Sequence, residues 1–373
     1  MIDSVNVIVD EAAIEHNTKL LRQTLKPETK IISVIKANGY GCGLTQVAHT
    51  CEKLGIDMLA VLDVDQAVDL RNDGITLPII LLGATLESNF QYLIDFDLTQ
   101  AVINMEYAHK LDAFAKANNT KIKGHIKVDT GLNRLGLKTY EEVRSCYDLE
   151  GLDITGIYSH FVEAQSYDGD ATEFSKNQIR RFNEVLEKLH DEGIDTKMTH
   201  MQNSPSIIHF GDLGYSAVRC GMVMFGLYHP SQLNESLHDG YKPVLSMEAR
   251  ICMVKEIKKG EFVGYGRTFT ATQDMKLATV TAGYCDGVMK SLSLNGGGVM
   301  VNGHHCPITG DIAMSQFMID VTGIDCEVED KVMIFGHEDQ TIYDYIQITG
   351  QSINELISLI RYTVPRIYVN PIK

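Results

Sequence analysis

The chain has 373 residues, of which 44% are hydrophobic and 22% charged, and its formal net charge is −16. That is room for two domains with substantial cores, in the composition of an ordinary globular protein. The acidic balance speaks against nucleic-acid binding, which wants a basic face, and no apolar run approaches the roughly 20 residues that span a bilayer. Eight cysteines are scattered without C-x-x-C spacing, so neither a metal site nor a disulfide framework is indicated. No signal peptide precedes Ile2-Asp3-Ser4, and a reducing, cytoplasmic setting is expected.

Ser4 to Val9 alternates like a short strand, and Asp10 can cap a helix running through Ile14, Leu20 and Leu21. The stretch from Lys30 to Gly43 then organises the chain. Its apolar, β-branched run ends at Lys36 and breaks into a loop containing Gly39, Gly41 and Gly43. A continuous apolar run is a buried parallel strand, which places Lys36 at a C-terminal strand end, where α/β folds keep their chemistry. Partial desolvation lowers a lysine pKa and makes the amine a nucleophile for carbonyl compounds. The plain alternative is a lysine that snorkels out at a strand end.

Further strands are expected over Met58–Leu62, Ile79–Gly83, Ala101–Asn104, Gly124–Asp129, Gly156–His160, Lys197–Gln202 and Ala217–Gly221. Helical spacing marks Asp65–Asp73, Glu106–Asn118 and Thr172–Glu192 between them. Eight strands in about 225 residues favour an α/β fold of the (β/α)₈ TIM-barrel type, with a doubly wound sheet left open by pattern alone. After Pro230 short alternating runs meet at Lys259-Gly260, Asn295-Gly296 and Asn302-Gly303, the last two reading as hairpins. Gly296-Gly297-Gly298 reads as a hairpin tip. The expected domains are 1–230, a barrel whose first strand joins its neighbour, and 231–373, mainly β.

Val34-Ile35-Lys36-Ala37-Asn38-Gly39-Tyr40-Gly41-Cys42-Gly43 resembles the lysine motif of the alanine racemase family, fold-type III enzymes that use pyridoxal 5′-phosphate. Lys127-Val128-Asp129-Thr130-Gly131-Leu132-Asn133-Arg134-Leu135-Gly136 is similar to that family's K-V-D-T-G-x-x-R-L-G, and Val218-Arg219-Cys220-Gly221 to its V-R-P-G. The resemblance runs from Val9-Asp10 to Val364-Pro365-Arg366-Ile367-Tyr368. It implies that Lys36 holds the cofactor and that Arg219 faces its pyridine nitrogen, leaving that nitrogen unprotonated. Tyr40, Asn203, Ser204, Gly221 and Met222 would cradle the phosphate, although a turn or helix cap also suits Ser204. Arg134 would bind the substrate carboxylate, steadied by a carbamylated Lys127; the alternative for Lys127 is an ordinary pair with Asp129. His160 would support the cofactor site. Tyr265, in Gly264-Tyr265-Gly266, would be a second base opposite Lys36, supplied by the other chain of a homodimer with shared active sites. Met314 would meet the substrate carboxylate through its N–H, and Tyr284 would stand at the entrance.

Three positions depart from ordinary members: Ala313-Met314-Ser315 for C-M-D, Asp311 for an entrance arginine, and Asn354 for a tyrosine touching the phosphate. An asparagine frees volume and adds an amide that can bond a substrate hydroxyl. The combination is similar to the racemase domain of VanT-type membrane serine racemases of vancomycin resistance. It implies activity on serine as well as alanine, a role in peptidoglycan precursors, and a membrane domain outside this chain. An ordinary alanine racemase is the alternative, and a non-catalytic cofactor-binding homeostasis protein a more distant one.

Overall fold

A computed structural model describes residues 4–229, 240–336 and 339–372. The chain forms two compact units, one from Glu15–Gly39 and Leu44–Tyr241, the other from the residues up to Ile14, Tyr40–Gly43 and those from Lys242 onward. The expected boundary at 230/231 lies outside the described residues.

The first strand, β1 (Val5–Asp10), belongs to the second unit, and the helix Glu11–Thr24 follows it at once. Asp10 caps that helix, its Oδ1 accepting from the Ala13 N–H at 3.1 Å. Eight parallel strands then close a barrel: β2 (Lys30–Val34), β3 (Met58–Val61), β4 (Ile79–Leu81), β5 (Leu98–Val102), β6 (Ile122–Lys127), β7 (Leu152–Tyr158), β8 (Met198–His200) and β9 (Ala217–Cys220). Each pairs with the next, and β9 pairs back onto β2 with Ile32 opposite Arg219. Ile31, Ile32, Leu59, Ala60, Ile79, Ile80, Ala217 and Val218 have no exposed surface, as expected for strands covered on both faces.

Strand bounds move at several places, β7 starting at Leu152 where Gly156 was expected, and two of the shifts bear on the site and the core. β2 stops at Val34, so Lys36 opens the loop beyond the strand and is not its last residue. β5 starts at Leu98, earlier than Ala101, because two of its residues are polar and break the apolar run. Thr99 and Gln100 are nonetheless buried. The Gln100 side chain accepts from the Thr85 hydroxyl at 2.6 Å and donates to the Gly83 carbonyl at 2.7 Å. Asn104, read as the end of this strand, instead caps the helix Met105–Ala117 by accepting from the Tyr107 N–H.

The second unit is a sheet of eight strands: β1, β10 (Leu245–Ile257), β13 (Met275–Val280), β14 (Gly298–Val301), β15 (His304–Thr309), β16 (Phe317–Asp320), β17 (Lys331–Phe335) and β18 (Arg366–Val369), with β11 (Phe262–Val263) and β12 (Phe269–Thr270) forming a separate hairpin. The long β10 pairs with β1 and β17 over its first half and with β13 over its second. Asn302-Gly303 is the two-residue turn joining β14 to β15, with φ of 48° and 80°, as its sequence predicts. Asn295-Gly296 is not a hairpin, and the glycine run is not a tip. Asn295 and Gly296 end the short helix Ser291–Leu294, and Gly298 is already the first residue of β14. A helical turn precedes the glycines where a strand was expected.

Replacing Gln100 by Ala leaves the Thr85 hydroxyl and the Gly83 carbonyl without their buried partner, at a cost of about 2 kcal/mol. A urea denaturation midpoint matching wild type would refute this account of the polar residues in β5.

Candidate functional site

Lys36 begins a left-handed turn. Ala37, Asn38, Gly39 and Tyr40 have φ of 53°, 56°, 61° and 54°, closed by the Gly39 N–H donating to the Ile35 carbonyl at 2.9 Å. Left-handed backbone costs roughly 1–2 kcal/mol per non-glycine residue, so this loop is held in place by its neighbours. Asn38 accepts from the Leu44 N–H at 2.9 Å and so caps the helix Leu44–Lys53. Tyr40–Gly43 belong to the β unit, where Arg366 Nε donates to the Gly41 carbonyl and the Tyr368 hydroxyl to the Cys42 carbonyl, both at 3.0 Å. The Lys36 amine has a lowered pKa, by desolvation first and by the positive charge of Arg134 second. Its side chain still reaches solvent, so the amine is both accessible and primed as a nucleophile.

Arg219, on β9, is only 3% exposed. Its Nη2 donates to the carbonyls of Ser159 (2.8 Å) and Met201 (2.9 Å) and to His160 Nδ1 (3.0 Å). Its Nη1 donates to His200 Nδ1 (2.7 Å) and the His200 carbonyl (3.2 Å). Among the described residues its Nε–H alone has no acceptor. Burial lowers its pKa to about 10, which leaves it a cation at neutral pH. Among the described residues no carboxylate pairs with it, and each of its hydrogen-bond partners is neutral. His160 is kept neutral by burial and by the positive charges of Arg219, Arg134, Lys127 and Lys36. Since its Nδ1 accepts, its proton sits on Nε2.

Lys127 ends β6 and is 4% exposed. Burial, then Arg134 and Arg219, lowers its pKa to about 8, with Asp129 opposing. The pairing of Lys127 with Asp129 weighed from the sequence does not form. Asp129 Oδ1 instead accepts from the N–H groups of Gly131 and Asn133, both at 3.0 Å, which shapes the loop carrying Arg134. Neither Lys127 Nζ nor the exposed Arg134 has a carboxylate partner among the described residues. The buried Tyr158 hydroxyl also lacks a partner, on a ring whose centroid lies 5.9 Å from Lys127 Nζ.

Past β8, Asn203 and not Ser204 is the helix cap: its side chain accepts from the Ser206 N–H at 3.1 Å, while Ser206 Oγ accepts from the Asn203 N–H at 2.8 Å. Ser204 Oγ accepts from the N–H groups of Gly221 (3.1 Å) and Val223 (3.3 Å), joining the loops after β8 and β9. The turn Met222–Phe225 starts there. With its oxygen accepting both amides, the Ser204 hydroxyl keeps its own proton as a donor suited to a phosphate. Burial pushes the Tyr40 phenol up to about 12.

Within the β unit, Tyr265 is 78% exposed on the turn Tyr265–Arg267. Tyr284 and Met314 lie on loops stitched together, the Tyr284 N–H donating to the Ala313 carbonyl and the Cys285 N–H to the Met314 carbonyl. Gly283 permits this approach, since a Cβ there would come within 2.3 Å of the Met314 carbonyl oxygen. Asp311 is tied to Lys290 at 2.9 Å. Asn354 is exposed on the helix Ile353–Leu359.

The barrel therefore brings together Lys36, Lys127, Arg134, His160 and Arg219 through their mutual electrostatic effects. Sequence reasoning missed Tyr158, His200 and His125. The signal available was a histidine inside each of two short barrel strands, where a polar side chain needs a partner.

The family models described as "Alanine racemase, N-terminal domain" and "Alanine racemase, C-terminal domain" match residues 9–229 and 244–368. The chain is 34% identical to the alanine racemase of Methanococcus maripaludis, over 97% of this chain and 98% of that one. It is also 34% identical to the alanine racemase of Clostridium perfringens, over 96% and 94%. Among solved structures it is similar to the alanine racemase of Clostridium difficile 630, with a TM-score of 0.93 and 29% identity over 99% and 96% of the two chains. The E. faecalis alanine racemase superimposes with a TM-score of 0.90 and 29% identity over 98% of each.

Because the Lys127 pKa lies below its unfolded value, the folded chain bears a charge penalty below about pH 8. Between that pH and the ordinary lysine value of 10.5 the unfolded chain binds more protons, so stability rises with pH. In carbon-dioxide-free buffer, the denaturation midpoint of wild type should rise across this window relative to Lys127→Met. Parallel profiles would contradict it.

Proposed function

The chain belongs to the alanine racemase family, and on that premise we propose that it interconverts L- and D-alanine at a site shared between two copies of the chain. The family's cofactor is pyridoxal 5′-phosphate, which when bound acidifies the Cα–H of an attached amino acid by drawing electrons from it. The single observation that carries the reading is a cluster of four cations, Lys36, Lys127, Arg134 and Arg219, in a chain of net charge −16. Such a cluster suits a phosphate-bearing aldehyde and a substrate carboxylate.

Lys36 would hold the cofactor through its amine and exchange the α-proton on one face. Tyr265 of the second copy would do so on the other, since one base alone tends to return the proton to the side it came from. By family resemblance Lys36 takes the proton of the D-isomer and Tyr265 that of the L-isomer. The unpartnered Arg219 Nε–H fits the pyridine nitrogen, and a cation there keeps that nitrogen unprotonated. His160, neutral with its proton on Nε2, can donate to the Tyr265 phenol. Arg134 offers a planar fork to the substrate carboxylate. Lys127, with its depressed pKa and no carboxylate partner, suits carbamylation, and the unpartnered Tyr158 hydroxyl supports an anion there. Tyr40, Asn203, Ser204, Gly221 and Met222 would receive the phosphate, Met314 the substrate carboxylate, and Tyr284 would stand at the entrance. The product would serve peptidoglycan precursors.

The relatives named above are alanine racemases, which supports alanine as the substrate, whereas the expected activity on serine and the closeness to the vancomycin-resistance enzymes gain no support from them. No helix among the described residues is long and apolar enough to cross a membrane. A second reading, activity on serine as well, is favoured by Asn354, an exposed amide able to bond a substrate hydroxyl.

Chiral chromatography of L-alanine tests the main reading. Lys36→Ala should lose both the yellow absorbance of the bound cofactor and racemisation. Tyr265→Phe should keep the colour and lose turnover by about 10²–10⁴-fold. Undiminished racemisation in either variant would reject the two-base assignment. For the second reading, Asn354→Tyr should lower serine turnover more than alanine turnover, and an unchanged ratio would remove Asn354 from specificity.

A further inference from the structure

Two histidines inside the barrel have no part in the scheme above: His125 on β6 and His200 at the end of β8. Both are buried, with 1% and 0% exposure. They form a chain beneath Arg219. Arg219 Nη1 is 2.7 Å from His200 Nδ1, and His200 Nε2 is 2.9 Å from His125 Nδ1. A guanidinium only donates, so His200 must accept at Nδ1 and carry its proton on Nε2. That proton then points at His125 Nδ1, which must accept in turn, leaving the His125 proton on its own Nε2. The bonds thereby run in one direction from Arg219 to His125, with His200 needing a donor on Nδ1 and an acceptor for Nε2.

The rings are held by stacking. His200 lies parallel to Tyr158, at 4° and 4.8 Å between centroids, and the Arg219 guanidinium sits 5.1 Å from the same Tyr158 ring. His200 thus keeps its plane, so a lost partner on either nitrogen must be met by a change of tautomer and not by turning the ring. Burial and the positive charge of Arg219 hold both histidines neutral, so neither can satisfy its neighbours by taking a second proton.

We propose that His125 is a positioning residue: by accepting the His200 Nε2 proton it fixes the tautomer that offers Nδ1 to Arg219, and so holds the guanidinium with its Nε–H free for the cofactor. This rests on the role given to Arg219 above. Without an acceptor at His125, the His200 Nε2–H is stranded in the barrel interior. Moving that proton to Nδ1 sets it against an arginine N–H, donor to donor, and the guanidinium must shift. Asparagine places Oδ1 close to where Nδ1 lies and keeps an acceptor; leucine has similar bulk and none.

Nitrogen chemical shifts of ¹⁵N-histidine-labelled protein, without cofactor, read the tautomers directly. Wild type and His125→Asn should both show His200 protonated at Nε2, and His125→Leu should lose that pattern. In cofactor-loaded protein, His125→Leu should lower kcat for alanine about tenfold with little change in KM, while His125→Asn restores it to within about threefold. An Nδ1-protonated His200 in wild type overturns the proposal whether or not any variant folds. So does an unaltered His200 pattern in His125→Leu, or equal kcat losses in the Leu and Asn variants. If wild type racemises nothing, the functional reading fails, while the nitrogen shifts still decide the relay.

Discussion

The buried guanidinium of Arg219 is the constraint around which the barrel end is arranged. A charge with 3% exposure is costly unless its donors are all met, and here four of its five N–H groups are met by neutral acceptors. Carbonyls of Ser159, His200 and Met201 supply much of this, so the arginine also ties together the C-terminal ends of β7 and β8. Because no carboxylate is among them, the hydrogen bonds are satisfied while the charge is not. Its field reaches Lys127, His160, His200 and Tyr158 and works to lower the pKa of each, although burial outweighs it at the Tyr158 phenol.

That uncompensated field explains why an acidic chain presents a cationic site. Lys36 and Lys127 each have lowered pKa values through desolvation and the nearby Arg134, and Arg219 adds to the effect on Lys127. Structural ion pairs are available elsewhere on the chain, as between Lys116 and Asp112 or Arg144 and Glu192. Among the described residues none forms at these cations, which leaves an electrostatic preference for an anion from outside the chain.

The backbone around Lys36 carries a different cost. Three non-glycine residues in left-handed conformation are retained because the loop is bonded at both ends. Asn38 caps the helix Leu44–Lys53, and Arg366 and Tyr368 bond the Gly41 and Cys42 carbonyls. The C-terminal Val364–Tyr368 run, noticed in the sequence only as a family feature, thus has a local physical task. It holds the glycine end of the lysine loop to β18.

Local pattern favoured the barrel over a doubly wound sheet, since buried parallel strands need apolar runs and eight such runs recur, while only the closed ring of pairings excluded the open sheet. The sequence by itself determined the Asn302-Gly303 turn, whose positive φ values few other residues tolerate, and it marked Lys36, Arg134 and Arg219 through their motifs. Tertiary structure alone decided which polar residues lie inside. Thr99 and Gln100 look like loop residues, and Gln100 finds its partners only when Thr85 and Gly83 are brought beside it. His125 and His200 are 75 residues apart and acquire their roles only when β6 and β8 bring their rings within a hydrogen bond. Local pattern records what a residue prefers; a buried polar group is decided by partners that only the closed barrel supplies.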